Sequence, residues 1–444
     1  MTMATRFDIQ AVIDRQKALG PQLPLLVLMT IVMLIDGYDV FMLGRVGPAI
    51  AADFGEPITA LTLVVVFQQI GLAVGSFAIG PLSDRYGRKT MLLASVAAFG
   101  VLTLATLWAR SLTEVAILRG IAGLFLAGVI PNATALLTEH APPSRRASFV
   151  SIAFTGYTGG GMAAAGVAIL LLDDYGWESA FWIGGLVPLA LLPLFFFGIR
   201  ESLQFRAARN PADPRIARGL MKIEPGLSLS GEEVFVVGEG TAPRRQGPSV
   251  GQVFGEGRLK LTLLLWAAYF IALGLIALLA AWMSALFLQL EGVPLSRSAA
   301  YALLSFLGGV CGTTTVGALM DRLGRTKVLV ALFTVDALAL MGLGLFPFGS
   351  WPFTILMLIW GYAQAGGQGG INALCAQVYP TTVRSTGVGW AFGVGRLGGV
   401  VLPAAGGLLL VGSMSIAQAF FLIGLLPLAV AACLFAIGRL EKAA

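Results

Sequence analysis

Asp36 and Asp39 stand in the middle of an apolar run, Pro24 to Ile50, that is long enough to cross a bilayer as one helix. A carboxylate at that depth is costly unless a partner or a water-filled cavity receives it. Being three apart, the two acids lie on one helical face. A buried carboxyl group can load and release a proton as its surroundings change, so this face reads as the wall of a polar cavity in which protons are handled. The plainer account is a structural ion pair with Arg45, further along the same run, or with Arg119 in the fourth apolar run. Arg119 either meets a substrate or neutralises an acid of the first run until a proton arrives, and the second role is preferred. Glu139, at the far end of that fourth run, is grouped with the proton-handling acids. Its neighbour His140, the single histidine, reads as a solvated helix cap.

Arg396 lies near the middle of the eleventh run, and its counterpart in the first half is Thr158. A cation present in only one half suits a ligand with one negative end. The planar guanidinium matches a carboxylate in two hydrogen bonds; pairing with Asp336 or a first-run acid is the alternative. Gln368 and Asn372, four apart, present amides either to a ligand or to a neighbouring helix. Tyr38, Tyr157, Trp390 and Phe392 are candidates to face an aromatic ring, with packing the plainer role of each. Gly393, Gly395 and Gly398 match the letters of a dinucleotide fingerprint but lie inside an apolar run without the strand that motif requires. Neither a metal-ligand cluster nor a nucleophile with its base is apparent, so no enzyme, metal or cofactor is expected.

The elements that position these groups must be membrane helices. With 57% hydrophobic and 12% charged residues the chain is far too apolar for a soluble domain. Its 57 glycines suit helices whose backbones approach closely in lipid. The net charge of +6 would suggest nucleic acid in a soluble protein, but here the charges sort by side. Arg85, Arg88, Lys89, Arg145, Arg146, Arg322, Arg325 and Lys327 fall in loops that alternate with loops holding Asp53, Glu56, Asp173, Asp174 and Glu178. That alternation places both termini in the cytoplasm and argues for a lipid bilayer rather than nucleic acid as partner. Cys311, Cys375 and Cys433 fall in apolar spans and indicate no disulfide framework. The first run is too long and too acidic for a removable signal peptide.

Apolar spans fall at roughly 24–50, 59–80, 90–109, 113–138, 148–172 and 177–198, then at roughly 258–289, 296–320, 327–347, 351–378, 384–412 and 416–438. The expected fold is an all-α membrane protein of twelve transmembrane helices in two pseudo-symmetric six-helix bundles, residues 1–198 and 258–444. Residues 199–257, basic and rich in Pro and Gly, read as a cytoplasmic linker with room for short surface helices. The halves repeat each other: Gly80-Pro-Leu-Ser-Asp84-Arg85-Tyr-Gly87-Arg88 recurs as Gly317-Ala-Leu-Met-Asp321-Arg322-Leu-Gly324-Arg325. Two such halves around a midplane site are the architecture of rocking transporters. Asp84, Arg85, Arg88, Arg145, Asp321, Arg322, Arg325 and Arg384 are the expected gating charges, forming contacts in one state and breaking them in the other.

These repeated loops resemble the signature of the major facilitator superfamily. Asp36-Gly-Tyr-Asp39, Arg119 with Pro131-Asn132-Ala-Thr134, Gly366-Gly-Gln-Gly-Gly-Ile-Asn372, and Tyr379-Pro380 through Arg396 narrow the resemblance to the aromatic acid:proton symporter family. That resemblance implies import of a benzoate-like carboxylate with protons into a bacterial cell, through the inner membrane, with the first-run acids needed for uptake. The expected partners are a small aromatic carboxylate and protons, and the expected state is monomeric. Two alternatives remain open at this point: a proton-driven exporter of drugs or metabolites, and a membrane sensor that binds without translocating.

Overall fold

The computed structural model describes residues 6–15, 22–142, 146–224, 227, 229, 233–236, 253–255, 257–379, 384–407 and 414–443. Twelve membrane helices are labelled here in chain order. In the first half α1 is Leu23–Asp53, α2 Leu61–Tyr86, α3 Arg88–Ala105, α4 the pair Leu112–Leu126 and Val129–His140, α5 Arg146–Tyr175 and α6 Glu178–Gly198. In the second half α7 is Leu259–Glu291, α8 Leu295–Leu323, α9 Arg325–Leu343, α10 Trp351–Val378, α11 Arg384–Gly406 and α12 Ile416–Ala443.

Eleven of these are long and apolar enough to cross a membrane among the described residues, with the two pieces of α4 counted as one span. The twelfth is α10, which has the length, 28 residues, but carries Gln364, Gln368 and Asn372 through its middle. Polar residues at that depth are tolerated where a helix lines protein or water rather than lipid.

The pseudo-symmetry predicted from the repeated loops is visible in the packing. In the first half α1 packs on α5, α2 on α4 and α3 on α6; in the second, α7 packs on α11, α8 on α10 and α9 on α12. Each pair is drawn together by glycine. A Cβ on Gly37 of α1 would stand 2.1 Å from the Tyr157 carbonyl of α5, and one on Gly308 of α8 would stand 2.2 Å from the Leu358 carbonyl of α10. Backbones this close are the packing device of lipid-embedded helices, where apolar burial gives little drive. The two copies of the repeated loop match in conformation also, because Gly87 and Gly324 have φ of 103° and 94°, a region that side-chain-bearing residues avoid.

The halves touch through α5 on α8, α2 on α11 and α1 on α7. How the cores divide along that seam is decisive. Toward the end of α1 at Asp53 one apolar core runs through both halves, joining Met42, Val46 and Phe181 to Leu278, Trp282 and Phe420. Toward the end carrying the basic loops there are two cores, one around Leu92, Phe99 and Leu136, the other around Leu329, Phe333 and Leu374. The seam is sealed at one end and divided at the other.

The linker departs from the expectation of a plain polar connection. Leu203–Arg209 and Pro214–Ile223 are helices, as anticipated, but Val234–Val236 is a strand paired in parallel with Arg6–Asp8 near the N-terminus. With the helix Ile9–Asp14 they bury a small satellite core of Ile9, Val12, Ile13, Leu203, Ile216, Leu220 and Phe235. The amphipathic spacing of Ile216 and Leu220 supplies the apolar stripe that closes it.

Candidate functional site

The two acids of α1 are separated by what faces them. Asp39 is fully buried and gripped by Arg119 of α4: Nη2 to Oδ2 is 2.5 Å and Nη1 to Oδ1 is 3.1 Å. Thr103 of α3 donates to the same Oδ1 at 2.9 Å, and Arg119 also donates to Thr103 at 3.2 Å and from Nε to Gln68 of α2 at 3.4 Å. The ring of Phe181 in α6 lies 6.0 Å from the guanidinium centre. Five helices thus converge on one two-pronged ion pair. Of the expected pairings for Asp39, the one with Arg119 is formed and the one with Arg45 is not.

Asp36, one turn earlier, is 2% exposed, and its Oδ1 is buried without a hydrogen-bond partner among the described residues. Across from it are Tyr157 of α5 and, from the other half, Arg396 of α11, which acts electrostatically on both. Arg396 is half-buried and makes no ion pair among the described residues. Asp336, the alternative partner, is fully buried in α9 facing Trp360 of α10 and makes no ion pair with Arg396. Asp36 and Arg396, neither with an ion-pair partner among the described residues, thus act on each other electrostatically across the seam between halves. The aromatic wall beside them is Tyr157, 5.5 Å from Phe41 of α1, with Phe306 of α8 a further 5.2 Å from Phe41.

On the opposite side of the seam Gln368 donates to Asn372 Oδ1 at 3.2 Å, and Tyr269 of α7 donates to the same oxygen at 2.9 Å. Gln368 Oε1 stays buried and unpaired. These amides tie α10 to α7 and leave one acceptor unspent among the described residues. Phe392 stacks obliquely on Tyr269 at 5.3 Å, and Trp390 lies parallel to Trp266 at 5.8 Å. Trp390 packs against α7 in this structure. Tyr38 is also turned from Asp36, since its hydroxyl donates to the Ala180 carbonyl of α6 at 2.9 Å.

Glu139 is placed differently from a proton carrier at the seam. Its Oε1 pairs with Nε of Arg88 at 3.3 Å, tying the end of α4 to the start of α3. The pair sets Glu139 apart in space from the α1 acids it was grouped with and gives Arg88 a partner inside its own half. The N-terminus of α3 is held by an acid that the repeat did not point to: Glu201, beyond α6, accepts from the backbone N–H of Lys89 at 3.2 Å. A helix N-terminus favours a carboxylate there. Arg85 lies over the Tyr86 ring, and Arg325 donates to Gln377 at 2.9 Å. Asp321 and Arg322 are exposed at the end of α8. Asp84 and Arg384 sit in α2 and α11 with side chains outside the described set, and Arg145 lies outside the described residues.

Thr103, Gln68, Glu201 and Tyr269 escaped sequence reasoning. Thr103 and Gln68 are polar residues inside apolar spans, the one signal that points to them. They gain meaning only from the neighbouring helix.

Comparisons with known proteins agree with this architecture. The sequence pattern of the Major Facilitator Superfamily matches residues 29–403 and again 298–443. A gallate transporter of Pseudomonas putida is 34% identical over 97% of this chain and 95% of its own length. The 4-hydroxybenzoate transporter PcaK of Pseudomonas aeruginosa is 32% identical over 89% of this chain and 88% of its own. A solved bacterial homologue of the human lysosomal transporter Spinster, in an inward-facing and unoccupied conformation, shares the fold. Its TM-score is 0.63 over 95% of this chain and 96% of that one, at 15% identity. A family pattern that spans both halves of a twelve-helix fold leaves one conclusion: the chain belongs to the Major Facilitator Superfamily and is a multi-pass membrane transporter, not an enzyme.

Proposed function

We propose that this chain imports a small aromatic carboxylate together with protons, by alternating access, across a bacterial inner membrane. The relatives named for gallate and 4-hydroxybenzoate supply the substrate class. The observation that carries the reading is the buried carboxyl of Asp36, short of one partner, opposite the half-buried guanidinium of Arg396 on the seam.

In the proposed cycle Asp36 is the proton-bearing group. While ionised, Asp36 draws on the positive potential of Arg396; once protonated, it leaves that potential to the substrate carboxylate, which the guanidinium binds and orients through two hydrogen bonds. Tyr157, Phe41 and Phe306 offer ring edges to the aromatic body. Asp39 and Arg119 serve as a fixed pair that holds the α1 face. Gln368 accepts from a ring hydroxyl through its free carbonyl oxygen. An anion entering a negative-inside cell is opposed by about 2.3 kcal/mol per 100 mV, and one accompanying proton cancels that term. One proton per carboxylate makes the step electroneutral.

The basic loops face the cytoplasm in this reading, with both termini on that side and residues 199–257 as the linker between halves 1–198 and 258–444. The divided end of the seam is then the inner one, and Arg85, Arg88, Arg145, Arg322, Arg325 and Arg384, with Asp84 and Asp321, form the inner gate. All groups of the pathway come from one chain, so a monomer suffices.

The test is uptake of labelled 4-hydroxybenzoate and gallate into vesicles with and without an inward proton gradient. Wild-type protein should accumulate at least one of them only with the gradient. Arg396→Ala should lose accumulation by at least tenfold; unchanged half-saturation in that variant ends the role given to Arg396. Export of the same acids as the interior acidifies would reverse the assigned direction.

A further inference from the structure

Arg45 is a buried cation that the cycle above does not use. It lies on α1, about 13 Å beyond Asp36 at 1.5 Å per residue, toward the sealed end of the seam. It is 5% exposed, and among the described residues no acid lies within ion-pair distance of it. Its one hydrogen bond among the described residues crosses between halves: Nη1 donates to Oγ of Ser284 in α7 at 3.1 Å. Nε is buried with no hydrogen-bond partner among the described residues. The apolar core that seals this end surrounds it, with Met42, Val46, Leu279, Trp282 and Met283 all buried in the same cluster. The two helices touch here, since a Cβ on Gly44 would stand 1.7 Å from the Ala280 carbonyl.

A guanidinium in a dry layer, satisfied by one neutral hydroxyl, is an expensive arrangement. A purely apolar residue would seal the seam better. The Ser284 bond joins the two halves, so parting them on this side would break it and free the guanidinium for an entering anion. We propose that Arg45 is an outer capture site for the carboxylate of the substrate, exposed when the sealed end opens and covered by Ser284 when it closes. Five guanidinium protons, one of them on the unpaired Nε, fit a carboxylate in a fork. A ligand that binds one state and not the other shifts the equilibrium toward it, so a carboxylate held here stabilises the opening that admits it. The substrate class and the sidedness rest on the function proposed above.

The experiment compares external and internal half-saturation for 4-hydroxybenzoate in wild type, Arg45→Gln and Arg45→Lys, by uptake into and efflux from loaded vesicles. Loss of one charge-assisted fork predicts about a tenfold rise in the external value for Arg45→Gln, less than a twofold change in the internal value, and partial rescue by Arg45→Lys. Equal changes on both faces, or none, overturn the capture site. A second readout does not depend on transport. External benzoate should increase labelling of Ala281→Cys by a membrane-impermeant maleimide when Arg45 is present and not in Arg45→Gln, while benzamide, which lacks the charge, should have no effect. A labelling response that survives in Arg45→Gln, or a wild type without one, also overturns the site. If wild type accumulates neither aromatic acid yet shows the labelling response, the transport reading fails while the capture site stands.

Discussion

Asp36 and Asp39 share a face of α1, yet their surroundings assign them opposite duties. Asp39 receives a bidentate arginine and a threonine hydroxyl, while Asp36 keeps an oxygen unpaired beside Tyr157. Removing one member of a buried pair strands the other charge at a cost of about 3–5 kcal/mol. Asp39→Asn should therefore unfold far earlier in denaturant than wild type, in detergent at fixed pH. Asp36→Asn, which takes nothing from a partner, should unfold within about 1 kcal/mol of wild type. It should still exchange labelled for unlabelled substrate across the membrane while losing gradient-driven accumulation. Asp36→Asn protein that accumulates substrate normally would move the proton to another group.

At the scale of elements, the site is positioned by how near two helices come. Gly37 lets α1 lie against the Tyr157 carbonyl, and Gly160 does the same one turn on, where a Cβ would stand 2.0 Å from the Leu34 carbonyl. Gly37→Ala puts a methyl into that backbone contact, and overpacking of this kind costs about 1–3 kcal/mol. The expected outcome is a lowered melting temperature and a loss of uptake greater than the loss of folded protein, because α1 moves from α5 and carries Asp36 with it. A Gly37→Ala protein with wild-type uptake would show that the spacing of the two helices does not govern the site. The start of α3 offers a milder case. Glu201 caps it from beyond α6, so Glu201→Gln weakens the charge interaction with the helix dipole by about 0.3–1 kcal/mol, visible as a small drop in melting temperature that salt diminishes.

For the whole molecule, the division of the cores is the governing fact: one at the sealed end, two at the other. Burial of the shared core favours this state, and opening the sealed end requires exposing Met42, Val46, Leu278 and Trp282 along the seam. At Gly44 the backbones of α1 and α7 come close, since a Cβ there would stand 1.7 Å from the Ala280 carbonyl. A Gly44→Val side chain cannot fit there, so the variant should shift the molecule toward opening at that end. Ala281→Cys, introduced in a chain lacking the exposed Cys311, should then react several-fold faster with an external impermeant maleimide than in the Gly44 parent. An unchanged rate would mean that the seam parts elsewhere.

Much of this was legible in the chain itself. Span lengths and hydropathy gave twelve helices, because the bilayer's thickness sets the length that an apolar run must have. The repeated loops revealed the two halves, and buried charges flagged Asp36, Asp39, Arg45, Arg119 and Arg396, since lipid makes each one costly enough to need a reason. Even α10, whose polar middle weakens its membrane signal, was counted among the apolar spans at roughly 351–378. What the linear order could not supply was pairing. Arg45 and Arg119 were equal candidates for Asp39, Glu139 stood with the acids of α1 rather than with Arg88, and the N-terminal strand gave no sign of its partner 228 residues along, Arg6 with Val234. Ion pairs and ladder contacts depend on distances of a few ångströms between segments far apart in sequence. Only the packing of helices around glycine fixes those distances, and with them which acid is gripped by a cation and which is not.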